Sequence, residues 1–108
     1  MKLKLLLISG VLLVNTALAA PKDNNAAMLE LADQSRCLVC HDVDETIRGP
    51  AWRDVAKRYR DQPEVEDRLV QKVHDGGGGA WGNDTMSSNK RAGMENIRTL
   101  VRWILTLR

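Results

Sequence analysis

At 108 residues, with 16 Lys+Arg against 14 Asp+Glu, the chain has room for one domain and no second core. A formal charge of +2 is too small to track a phosphate backbone, which excludes a basic nucleic-acid binder. Two cysteines exclude a disulfide-dense secreted scaffold, and three Trp, one Tyr and no Phe leave too few aromatics for a large self-sufficient core.

The first predicted element is a leader. Met1-Lys2-Leu3-Lys4 is followed by an apolar run from Leu5 to Val14, interrupted by Ser9 and Gly10, and then by Thr16-Ala17-Leu18-Ala19-Ala20. A basic start, a short apolar stretch and a small-x-small site make a secretory signal peptide. The run is well short of the roughly 20 apolar residues of a spanning helix. Cleavage after Ala19 is therefore expected, with removal of residues 1–19 and no stable membrane insertion. Residues 20–108 then form the domain, located in the periplasm, where disulfides can form. Loss of Lys2 and Lys4 leaves 14 basic against 14 acidic side chains, so the mature chain is neutral.

Four short helices follow. Asn24-Asn25 precede apolar residues at Ala27, Met28, Leu31 and Ala32, helical spacing after a capping residue. Pro50 opens the second, with Trp52, Val55, Ala56 and Tyr59 on one face. Pro63, in a first-turn position, starts the third, whose stripe is Val65, Leu69, Val70 and Val73. The fourth runs from about Met94 to the end, with Ile97, Leu100, Val101, Ile104 and Leu105 inward and Trp103 on the flank of that face. No stretch alternates with period two, so the expected fold is all-α.

Between the third and fourth helices lies a polar segment, residues 75–89, containing Gly76-Gly77-Gly78-Gly79. Consecutive glycines end a helix and let the backbone approach something closely. No Gly-Lys-Ser/Thr follows and no strand precedes, so this is not a phosphate loop. Trp81 and Met86, embedded in otherwise polar sequence, point to a loop folded over a ligand rather than a bare surface loop.

The chemistry is concentrated in Cys37-Leu38-Val39-Cys40-His41, the Cys-x-x-Cys-His signal for c-type haem attachment. Two thiols three residues apart on one turn can each add to a vinyl group of one porphyrin, and the adjacent His can reach its iron. A zinc site wants about four ligands, and only His74 remains among the usual N/S donors. A thioredoxin-like pair wants a strand–helix context, and a disulfide across so small a loop stabilises little. For a second axial ligand the candidates are Met86, Met94, His74 and an open position. Met86 is favoured because an irregular loop can present its thioether to the iron. Met94 is expected to pack at the start of the last helix, Met28 to be core, and His74 to be solvated or to cap the third helix.

In order and spacing, Cys37-x-x-Cys40-His41, Ile47-Arg48-Gly49-Pro50-Ala51-Trp52-Arg53-Asp54-Val55-Ala56, Gly79-Ala80-Trp81-Gly82 with Met86 and Asn89, and Leu100-x-x-Trp103-Ile104-Leu105 resemble the small bacterial class I cytochromes c, the cytochrome c-551 (c8) type. The resemblance spans essentially the whole mature chain. It implies one haem c, bound covalently through Cys37 and Cys40, with His41 and Met86 as iron ligands. It further implies that the Pro50 carbonyl accepts a hydrogen bond from His41. Trp81 and Lys72 become candidate donors to haem propionates, and Asn89 a support for the Met86 loop. The chain departs from the pattern at Arg36, where the group often has Gly, and its Met loop lacks the usual prolines.

The function so implied is one-electron transport between redox proteins, a reductase or oxidase among them, by a monomeric carrier in transient complexes, without catalytic residues. An accessory or subunit role for a periplasmic reductase is the alternative, and an open-iron haem enzyme is a third class. With Trp52, Val55, Leu69, Val73 and Val101 expected around it, the cofactor would also complete the core.

Overall fold

In a computed structural model the described residues are 10–14 and 24–108. The leader and its cleavage site therefore fall outside the described residues, except for 10–14, which form no helix or strand.

Four α-helices make up most of the fold: α1 (Asn24–Gln34), α2 (Trp52–Tyr59), α3 (Val65–Asp75) and α4 (Met94–Thr106). Single 3-10 turns at Cys37–Val39 and Lys90–Ala92 precede the longer connections and α4 respectively. Among the described residues the one departure from an all-helical fold is a two-stranded antiparallel hairpin in the glycine-rich segment. Its strands β1 (Gly77–Gly78) and β2 (Thr85–Met86) pair Gly77 with Met86 and Gly78 with Thr85.

α4 organises the packing, lying against α1, α2 and α3. One face joins Ala32, Trp52, Ala56, Trp103 and Leu107 in a cluster around Leu100, and another joins Val70 through Ile97 and Val101. Trp103 is thus buried in the centre of the helix contacts, not on the flank. Its ring meets Trp52 edge to face at 5.7 Å, and its Nε1 donates to Asn25 Oδ1 at 2.9 Å, tying α1 to α4. A buried indole needs such a partner for its N–H. Met94 faces outward and is 43% exposed, so it does not pack as expected.

The first N–H groups of α2 are satisfied by neighbouring backbone rather than by a side-chain cap. Trp52 N–H donates to the Asp42 carbonyl and Arg53 N–H to that of Val43. This fixes α2 against the segment after Cys40-His41. α3 begins at Val65, two residues past Pro63. Glu64 caps it with φ 59°, a left-handed conformation that takes the place of the proline-first start.

An ion-pair group staples α3 to α4. Arg98 reaches Glu66 at 2.8 Å and Asp67 at 2.7 Å, and Arg102 reaches Glu66 at 2.8 Å. The hydrogen bond from Arg98, with that from Arg102, holds the Glu66 carboxyl below its usual value. A carboxylate depressed in the folded state stabilises above its unfolded pKa and loses that contribution as pH falls through the folded value. Thermal melts should therefore drop as pH falls below about 4.3, the unperturbed Glu value, and Glu66→Gln should show a shallower drop. Identical acid profiles for the two proteins would contradict this. The effect is modest, as expected for exposed pairs.

Candidate functional site

α2, α3, α4, the hairpin and the segment from Ser35 to Pro50 enclose a cavity of about 610 Å³, within the size range of cofactor sites. Trp52, Val55, Leu69, Val73 and Val101, the residues expected to form an apolar shell, all line it.

One wall carries the Cys-x-x-Cys-His motif. Cys37 opens a 3-10 turn and Cys40 closes it, and the His41 N–H returns to the Cys37 carbonyl at 3.0 Å. The two cysteines are free thiols and both line the cavity. Burial pushes the Cys37 thiol above its ordinary value, the reverse of the activated thiolate a redox dithiol uses. Arg36, just before the motif, has φ 60°. A left-handed residue here reverses the chain between α1 and Cys37, which is why glycine suits the position; with a side chain it costs on the order of 1–3 kcal/mol.

His41 is held on several sides. Its Nδ1 lies 2.8 Å from the Pro50 carbonyl oxygen. A carbonyl only accepts, so Nδ1 carries the proton and the lone pair of the neutral ring is on Nε2. Trp52 stacks on the ring at 5.7 Å with planes 22° apart. Gly49 closes the remaining side: a Cβ there would stand 2.5 Å from Cε1 and 2.9 Å from each ring nitrogen. Gly49→Ala should therefore displace the imidazole and lower the stability of the loaded protein by about 1–3 kcal/mol, the usual range for overpacking. Denaturant titration checks this, and an unchanged midpoint would show that the ring has slack.

Met86 lies at the end of β2 and lines the cavity, half-buried. Among the described residues lining it, His41 and Met86 are the only histidine and methionine. His74 and Met94 are not on the wall; His74 Nδ1 pairs with Asp75 Oδ1 at 2.8 Å. The close backbone approach expected of the glycines occurs at Gly76, with φ 78°, where a Cβ would come within 2.6 Å of the Met86 carbonyl oxygen.

The remaining candidates also reach the wall. Asn89 Nδ2 donates to the Ser35 carbonyl at 2.9 Å, and its N–H donates to the Val73 carbonyl at 3.0 Å, so it links the chain after Met86 to both the motif segment and α3. Lys72 Nζ stands 3.5 Å from the Gly78 carbonyl oxygen. Trp81 is 41% exposed at the cavity mouth, against Tyr59 and Arg58. Three contributors had no separate signal in the sequence reading: Gly49, Ser35 and Arg58. The Gly49-Pro50 pair next to a ligand-type histidine was the available clue to the first; the others depend on contacts across many residues.

The donor set fits a covalently bound porphyrin. Two free thiols spaced on one turn, an imidazole with its outer nitrogen fixed and its lone pair free, and one thioether converge on a largely apolar cavity. Among the described residues no cluster of three or more His, Cys, Asp and Glu is arranged to hold a bare metal ion.

Comparison with known proteins agrees. The sequence model of the Cytochrome c family matches residues 29–108. Cytochrome c-551 of Allochromatium vinosum is 48% identical over 81 residues, 75% of this chain and 86% of the relative. The crystal structure of wild-type Nitrosomonas europaea cytochrome c552 superimposes with a TM-score of 0.71 at 34% identity, covering 74% of this chain and 99% of that one. The class 1 cytochrome MtoD from Sideroxydans lithotrophicus ES-1 gives a TM-score of 0.63 at 31% identity, covering 77% and 95%.

Proposed function

Because the chain belongs to the cytochrome c family, as a small class I member of the c-551 type and a mono-haem electron carrier with one covalently attached haem c, we propose that Cys37 and Cys40 bind the haem, that His41 and Met86 ligate its iron, and that the protein shuttles single electrons between redox proteins of the periplasm. Bound there, the haem supplies reversible one-electron Fe(III)/Fe(II) chemistry.

The chain's own residues do the rest. Pro50, Gly49 and Trp52 fix the His41 ring with Nδ1 committed to the Pro50 carbonyl, so that Nε2 is the nitrogen that would hold the iron. Met86 would offer the iron a soft sulfur, a donor type that favours Fe(II) and raises the potential. With His41 and Met86 both holding the iron, no position would be left for a small oxidant to bind, which suits a carrier without catalytic residues. Val55, Leu69, Val73 and Val101 keep water from the cofactor and disfavour the extra positive charge of the oxidised state. Lys72 and Trp81 are the candidate propionate donors.

Among the described residues no helix is long and apolar enough to cross a membrane. The periplasmic location rests on the leader in residues 1–19, and a monomer meeting its reductase or oxidase partners in brief, small interfaces is the state that suits a carrier. The observation that carries the reading is the convergence of Cys37, Cys40, His41 and Met86 on one cavity. Its test is the near-infrared spectrum of the oxidised protein together with carbon monoxide exposure of the reduced protein. A charge-transfer band between thioether and ferric iron, with no carbon monoxide adduct, is expected; ready adduct formation would sink the axial assignment.

A further inference from the structure

The hairpin carrying Met86 is weak by itself. Its ladder is two residue pairs, Gly77 with Met86 and Gly78 with Thr85, and an isolated two-stranded hairpin is at best marginal in water. Its base is fastened to α3: Ser88 Oγ donates to the His74 carbonyl at 2.8 Å, and the Asn89 N–H donates to the Val73 carbonyl. Its tip, residues 79–84, is reached from the opposite side by one cation on the last turn of α2. Arg58 Nη1 donates to the Ala80 carbonyl at 2.7 Å. The same guanidinium carbon stands 4.6 Å from the centre of the Trp81 ring and 5.2 Å from that of Tyr59. The two rings meet edge to face at 6.1 Å.

We propose that Arg58 is a positioning residue for the Met86 hairpin: its guanidinium, bonded to Ala80 and lying over Trp81, latches the hairpin tip to α2 and so holds closed the wall that presents Met86. Arginine suits the place because a flat cation can offer its face to an indole while an edge N–H donates to a carbonyl. Lysine keeps the charge without that two-way geometry. Gly79 and Gly82, which flank Ala80-Trp81 within the tip, have positive φ and nothing within 4 Å of where a Cβ would stand, so the contacts of Arg58 with Ala80 and Trp81 are what restrain it. The latch stands on the contacts alone. Its consequence for the iron rests on the reading of Met86 as a ligand.

The test is amide hydrogen exchange of the haem-loaded protein, comparing wild type, Arg58→Ala and Arg58→Lys. Exchange across residues 77–86 should quicken about tenfold in Arg58→Ala, equivalent to about 1.4 kcal/mol, and less in Arg58→Lys, with α1 and α4 unchanged. Unchanged exchange in 77–86, or an equal rise in α4, would overturn the proposal, the second by showing a general role in stability. The charge-transfer band then separates the two readings. In Arg58→Ala it should vanish at a lower temperature than in wild type. A wild-type protein with no such band would defeat the Met86 assignment, while the exchange result would still decide the latch.

Discussion

Met86→Ala is expected to lower the reduction potential and to open the iron to carbon monoxide in the reduced protein. On the proposed ligation, removing the thioether would take away the donor that favours Fe(II), and axial ligands set haem potentials over ~0.8 V, so the fall should be a large fraction of a volt rather than a few millivolts. Among the described residues no methionine or histidine other than Met86 and His41 lines the cavity. Met94 is 43% exposed on α4, and His74 is turned to Asp75; neither reaches the cavity wall. Redox titration with the carbon monoxide difference spectrum reads both effects. An unchanged potential and no adduct would mean that sulfur from Met86 is not on the iron.

The Cys37→Ala/Cys40→Ala variant, which has no thiols for attachment, should lose most of its helical circular dichroism. The reason lies in how little core the polypeptide builds. Its buried side chains form two small clusters, around Leu100 and around Val101, and both border the cavity. With no cofactor in it, the cavity of about 610 Å³ would leave the apolar faces of α2, α3 and α4 that line it against water. Collapse could bury those faces only by undoing the packing of the three helices. Native-like ellipticity in the variant would show that the helices stand without the cofactor.

The helices were legible because their apolar residues recur with a period near 3.6, and the attachment motif because its spacing has one strong chemical reading. The misreadings have physical causes. Trp103 lies off the Ile97–Val101–Ile104 stripe, yet a ring large enough to reach Trp52 turns a flank position into core. Leu107, past the last helical residue, is buried as well. Met94 sits one residue after Gly93, at the first turn of α4, before that helix has met its neighbours. Pro63 fell two residues early because the turn before α3 uses a left-handed Glu64 instead. The hairpin escaped notice because two-residue strands leave no alternation to read. Gly49 and Arg58 were hidden for another reason. What they do is defined by the ring each one touches, and no local pattern encodes that.

The bond that orients His41 ends on a main-chain oxygen, that of Pro50. Such an acceptor neither gains nor loses a proton over the range in which proteins live, and no point substitution deletes it. The orientation that this bond gives the imidazole is therefore buffered against both acidity and genetic drift. Lineages tuning this carrier's redox set-point are left with the surroundings: the ring stacked at Trp52, the missing methyl at Gly49, and the sulfur arm across the cavity.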